Sequence, residues 1–185
     1  RRVSILVPVL LKPGLHPAIK ERFVKSLDEL VQITPDSEVI FNEEEYPHHE
    51  GENFFARLGR LRQETINRHL KPKHTDVLWI DADIYDFPAD LWYRLRVVES
   101  NLARSGVVSP IVLIENTDQN YDTAGMREIP ERRSNIHPPW FNHLGPEVPL
   151  VSVGGCVLMP AEVHYRAQFY AQPPNDPHVL TEWFS

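Results

Sequence analysis

The sequence predicts an α/β fold, with one mostly parallel sheet flanked by helices. Short apolar, β-branched runs alternate along the chain with stretches whose apolar residues recur at helical spacing. No internal repeat breaks that alternation, and such a pattern is read as βαβ units with right-handed crossovers. A third observation concerns the strongest apolar run, Val77-Leu78-Trp79-Ile80, which ends directly in Asp81-Ala82-Asp83. Open sheets of this kind bind ligands beyond the carboxyl ends of their strands.

The elements follow in order. Val3 to Val9 reads as a buried strand. Pro8 stands near its end, where a missing N–H is best tolerated. Lys12-Pro13-Gly14 makes a turn, and Pro17 opens a helix in its first turn. Ile19, Phe23, Leu27, Leu30 and Val31 share one face of that helix, which Thr34-Pro35-Asp36 stops. Glu38 to Phe41 is a second short strand, followed by an acidic loop through Glu52. Asn53 caps a second helix with Phe54, Leu58, Leu61 and Ile66 as its apolar stripe, and Lys71-Pro72-Lys73 ends it. Asp76 to Asp81 is the third strand. Pro88 starts a third helix through Leu91, Leu95, Val98 and Leu102, ended by Gly106. Val107 to Leu113 reads as another strand. From Glu115 to Glu147 the chain has little periodicity and much Asn, Asp and Pro. Loops of that length are usually functional, and this one is expected to touch an acceptor. Val151 to Met159 is the last strand, a helix runs from Pro160 to about Tyr170, and a final helical turn begins near His178.

At 185 residues and 42% apolar, the chain suffices for one domain with its own core. Lys+Arg number 19 against 26 Asp+Glu, a net charge of −7, which argues against a nucleic-acid partner. An acidic protein that handles phosphate needs a metal ion or a local arginine cluster. Cys156 is the single cysteine, so neither an internal disulfide nor a cysteine zinc cluster can form. There is no Asn-x-Ser/Thr acceptor, no signal peptide and no apolar run of the roughly 20 residues needed to span a bilayer. Both ends look cut, so residues 1–185 are expected to be a single catalytic domain of a longer protein.

The Asp81/Asp83 pair carries the chemical argument. Four apolar residues bury the strand, and two carboxylates emerge at its tip. If the backbone stayed extended there, both would point to one face, with Ala82 leaving space between them. Two anionic oxygen donors suit Mn²⁺ or Mg²⁺, with substrate phosphates as further ligands. Asp-x-Asp also occurs by chance in surface turns. Asp86 is a possible third ligand, though a cap for the turn before Pro88 is the simpler role. Arg57, Arg60 and Arg62 lie on the preceding helix; Arg60 and Arg62 are two apart and do not share a face. One can reach a diphosphate while the other pairs with the acidic loop, and a solvated helix face is the plain alternative. Gly154-Gly155 leaves two strand positions open to close approach of a ligand, or marks a bulge. Glu182, after a helix start, is the candidate catalytic or acceptor-binding acid. His48, His49 and His74 read as surface loop residues.

Several stretches resemble a known family. Asn53-Phe54-Phe55-Ala56-Arg57, Gly59-Arg60-Leu61-Arg62 and His74 through Ile84 are similar to the fungal Golgi mannosyltransferases of the mannan polymerase complexes, glycosyltransferase family 62. The similarity continues at Asn120 to Gly125, which contains Asp122, at Val153 to Leu158, and at Thr181-Glu182. The resemblance implies a GT-A, Rossmann-like fold, Mn²⁺, and retaining transfer of mannose from GDP-mannose to a mannose-containing glycan. It also implies a type II membrane protein with its catalytic domain in the Golgi lumen, working in a hetero-oligomeric complex. By position, Asp81 and Asp83 match the metal and diphosphate site. Arg60 and Arg62 match paired arginines near the donor, Pro8 matches the first-strand loop near the nucleotide, and Asp122, Gly154 and Gly155 fall in substrate-binding stretches. The sequence departs at Gln63, where the family has asparagine, and at Ser134 to Glu147. The family also continues beyond this C-terminus.

Two other readings use the same fold, a UDP-sugar transferase and a non-catalytic scaffold subunit. A haloacid-dehalogenase-like phosphatase fits less well. There a Thr, Val or Gly normally follows the second Asp, where Ile84 stands, and a later lysine is needed, whereas Lys73 is the last.

Overall fold

A computed structural model describes residues 4–10, 14–34, 36–42, 54–101, 106–117, 127–128, 150–152 and 155–166. Chain order is β1 (Ile5–Leu10), α1 (Pro17–Ile33), β2 (Ser37–Asn42), α2 (Phe54–His69), β3 (Asp76–Asp81) and α3 (Leu91–Asn101). Then follow β4 (Arg127–Glu128), β5 (Leu150–Ser152), β6 (Cys156–Pro160) and α4 (Ala161–Arg166). The main sheet has the order β2-β1-β3-β6. Its first three strands are parallel and β6 runs antiparallel to β3. β4 and β5 form a separate antiparallel pair. The fold is α/β, a mostly parallel sheet flanked by helices, as the alternation predicts.

Side chains alternate across a strand, and this sorts the core into two halves. Ile5, Val7, Val9, Leu78, Ile80, Cys156 and Leu158 pack with Phe23, Leu27 and Leu30 of α1 and with Leu91, Trp92 and Leu95 of α3. Leu6, Val77, Trp79, Val157 and Met159 lie on the other face with Ile66 of α2 and Ala161 of α4. Burial on both faces explains why β3 is an unbroken apolar run. Each fully buried aliphatic or aromatic side chain here contributes about 1.5–3 kcal/mol.

α1 begins as Pro17 dictates. His16 precedes it, and its Nδ1 accepts the Ala18 N–H at 3.3 Å. The helix ends where the Thr34 N–H donates to the Leu30 carbonyl. Pro8, expected near a strand end, sits inside a central strand. The β1–β3 pairing runs through Ile5, Leu6, Val9 and Leu10 and skips Val7 and Pro8, consistent with a residue that has no N–H to give.

Other expectations are corrected. Val107 to Leu113 is not a strand of the main sheet. Val108 makes one antiparallel bridge to Leu158, through N–H···O bonds of 3.0 and 2.8 Å. The ladder stops there because Pro110 has no donor and the Ser109 hydroxyl takes the Cys156 carbonyl at 2.7 Å. Val151 to Met159 is two strands, because Gly155 adopts φ +73, outside strand geometry. The helix expected at Pro88 starts at Leu91, with the Leu91 N–H donating to the Pro88 carbonyl. Two residues of the expected long loop, Arg127 and Glu128, form β4. His74 is buried rather than a surface residue: its Nδ1 accepts the Lys71 N–H at 3.0 Å, and Nε2 faces Glu38 at 3.3 Å. The Asn53 cap, the segment 43–52, the helix beyond Arg166 and the turn near His178 lie outside the described residues. Among the described residues, no helix is long and apolar enough to cross a membrane.

Candidate active site at the carboxyl end of β3

The order β2-β1-β3 creates a switch point. α1 carries the chain from β1 to a neighbour on one side, and α2 carries it back to the other side of β1. The crevice beyond such a divergence is where open α/β sheets hold ligands. In the β1–β3 register Leu10 pairs with Asp81, so Asp81 stands at the mouth of that crevice.

Asp81 continues the alternation of Val77 and Trp79 and emerges on the α2 face. There its Oδ1 accepts from Arg62 Nη2 at 3.0 Å, with the two side chains 14% and 2% exposed. The Arg62 guanidinium carbon lies 5.4 Å from the Trp79 ring centroid, and the Trp79 ring meets His164 of α4 edge-on at 6.2 Å. The Asp81 main chain is fixed as well. Its N–H donates to the Gly155 carbonyl at 2.8 Å, and its carbonyl accepts the Ile84 N–H at 2.9 Å.

That last bond closes a turn over residues 81–84, so the backbone does not stay extended. Strand alternation therefore does not relate Asp81 to Asp83. The turn relates them, anchored by the buried side chains of Ala82 and Ile84 in the α1-side core. Asp83 is half-buried at the turn's third position.

The expected arginine pair is split. Arg62 turns inward to Asp81, while Arg60 Nη1 reaches Glu64 Oε1 at 3.4 Å, one helical turn on. Pro8 is buried in β1, two residues before its end, and by alternation shares the α2 face with Leu6. Gly155 is brought to the site, and its backbone rather than its lack of a side chain is what touches Asp81. Asp86 does not join the carboxylates; it pairs with Arg22 of α1, on the opposite face from Arg62. Gly154, Asp122 and Glu182 lie outside the described residues.

His164 is a residue the sequence reading passed over. Burial pushes its imidazole down to about 4, so it is neutral at physiological pH. A lone histidine in a short helix of mixed character, Ala161–Arg166, carries no local signal of its contact with Trp79. Burial, with Asp81 nearby, pushes the Cys156 thiol far up, so no thiolate is available there.

Among the described residues, no group of three or more His, Cys, Asp or Glu side chains is arranged to hold a metal. Asp81 and Asp83 are hard oxygen donors at one turn, the donor type that suits a divalent cation completing its shell with phosphate oxygens and water. In kind, these residues fit Mn²⁺ or Mg²⁺.

No family model matches the chain, and no curated protein does. The fungal family of the sequence resemblance is therefore not matched by a family model. Among solved structures, the chain is similar to a glycosyltransferase involved in the glycosylation of the major capsid of PBCV-1. Identity is 13% and the TM-score 0.45; the match covers 88% of this chain and 62% of that one. The chain thus spans less than two thirds of that protein's length.

Proposed function

We propose that this chain is the nucleotide-sugar-binding part of a metal-dependent glycosyltransferase. The observation that carries the reading is the Asp81–Asp83 turn at the sheet's switch point, with Asp81 held by the buried Arg62. A divalent cation bound by Asp81 and Asp83 would neutralise a diphosphate as it leaves. The chain's own residues supply the rest. Arg62 holds the Asp81 carboxylate in place. The Gly155 carbonyl and the Ile84 N–H fix the Asp81 backbone, and the buried Ala82 and Ile84 side chains anchor the turn that carries both carboxylates. From the sequence resemblance we take the donor to be GDP-mannose and the acceptor a mannose-containing glycan. The same resemblance supports retention of configuration, a Golgi-lumenal setting and a hetero-oligomeric complex.

A scaffold role is the second reading. One observation favours it: Asp81 is already engaged by Arg62, and no third metal ligand stands among the described residues. Calorimetric titration with GDP and UDP, with and without Mn²⁺, separates the two. Asp83→Ala is the informative variant because it leaves the Arg62–Asp81 pair intact; Asp81→Ala/Asp83→Ala removes both donors. The expected result is Mn²⁺-dependent GDP binding that Asp83→Ala weakens about ten-fold or more, equivalent to about 1.4 kcal/mol. UDP binding without GDP binding would move the donor to a UDP-sugar. Nucleotide binding indifferent to Mn²⁺ and to both variants would sink the metal site, and no nucleotide binding would leave the scaffold.

A further inference from the structure

We propose that the open cleft between α1 and residues 86–88 is a subsite for a neutral saccharide. The proposal goes beyond the transferase reading, since the cleft lies on the opposite face of the sheet from the Arg62–Asp81 pair and would hold a saccharide apart from the Asp81–Asp83 turn. The cleft has a volume of about 500 Å³, inside the range of roughly 300–1,000 Å³ typical of small-molecule sites.

One wall is braced. Arg22 forms ion pairs with Asp86 and with Glu115, the latter at 2.9 Å, and its guanidinium carbon lies 4.4 Å from the Tyr85 ring centroid. The Tyr85 hydroxyl donates to Glu115 at 2.6 Å, and the Ser26 hydroxyl donates to the Tyr85 carbonyl at 3.1 Å. Phe87 is held edge-on against the core residue Phe23 at 5.9 Å. Side chains locked in this way make a preformed surface.

The lining chemistry selects the ligand. Arg22 and Lys25 are balanced by Glu29 and Asp86, and Phe87 and Pro88 add an apolar patch. Lys25 and Glu29 make no hydrogen bond or ion pair among the described residues, so a donor and an acceptor face the cleft from α1. A balanced lining gives neither a phosphate nor a polycation a net attraction. A sugar ring offers what such a wall can take: hydroxyls for the amine and carboxylates, and a C–H face for Phe87 and Pro88.

The test is an amide-resolved NMR titration of the wild-type chain and of Lys25→Ala/Glu29→Ala with mannobiose, with inorganic phosphate and GDP titrated separately. Both substitutions are on the exposed face of α1, where stability is little affected. Mannobiose is expected to shift the amides of Lys25, Ser26 and Phe87, and the double variant to bind about ten-fold more weakly. Mannobiose leaving those amides unmoved, equal affinity in the variant, or phosphate shifting the same amides would each overturn the proposal. GDP binding without mannobiose binding removes the cleft and spares the transferase. Mannobiose at the cleft without GDP binding keeps the cleft and removes the transferase.

Discussion

Arg62 and Asp81 decide what a single residue can do in this fold. A guanidinium 2% exposed needs a carboxylate to neutralise it, and Asp81 supplies one. Breaking such a pair by removing one partner leaves a buried charge and costs about 3–5 kcal/mol, while replacing both partners can be nearly neutral. Arg62→Met should therefore lower the urea-unfolding free energy by about that amount, and Arg62→Met/Asp81→Asn should recover most of it. Single variants that add without coupling would mean that the pair is not the unit described. Gly155 offers a second case. At φ +73 a side chain costs about 1–2 kcal/mol, so Gly155→Ala should lower the thermal midpoint, and it would also disturb the carbonyl that receives the Asp81 N–H. At this scale the sequence marked Asp81, Arg62 and Gly155 separately but not their meeting. Nothing local says that a helix residue 19 positions earlier turns inward to Asp81, because that follows from which face α2 covers. The expected same-face geometry of Asp81 and Asp83 missed the turn for a related reason: Ala82 and Ile84 both have core positions to fill, and the backbone bends to fill them.

Elements were legible where two independent signals agreed. β3 runs from Asp76 to Asp81 as read, because its apolar residues are all buried, and α1 begins at Pro17 because proline at the first position and helical spacing coincide. A single signal failed. Val107 to Leu113 has strand-like composition, yet Pro110 and the Ser109 hydroxyl leave only the bridge at Val108. Val151 to Met159 has a strand's apolar character, yet the glycine conformation divides it between two sheets. The agreement in α1 makes a contrast within one helix testable. Phe23 is fully buried, whereas Ile33 is 46% exposed. Phe23→Ala should destabilise by about 3–5 kcal/mol through lost burial and a cavity, and Ile33→Ala by no more than about 0.5 kcal/mol. Equal losses in denaturant titrations would mean that α1 does not dock through its Phe23 face.

Among the described residues, the response to acid begins with two buried imidazoles, one on α4 and one on the approach to β3. His164 is pushed down to about 4 by burial. His74, on the approach to β3, is also lowered by burial, with Glu38 partly offsetting the effect. A histidine whose folded value lies below its ordinary 6.5 binds its proton more readily when unfolded, so its contribution is present above pH 6.5 and is lost as pH falls. For His164 the interval from 6.5 to about 4 corresponds to roughly 3 kcal/mol. Glu38, held down to about 2 by Lys71 and Lys73, adds a loss in the same direction between its ordinary 4.5 and 2. Asp76 opposes these, since burial raises it and its neutral form favours the fold as pH falls. The urea midpoint should accordingly be flat above pH 6.5 and decline from there to pH 4, with a second decline toward pH 2. His164→Phe preserves the ring that meets Trp79 edge-on and removes that titration, so it should make the first decline shallower, leaving the His74 share, and leave the second in place. An unchanged slope between pH 6.5 and 4 in that variant would assign the acid response to other groups and would mean that α4 does not bury His164 against β3.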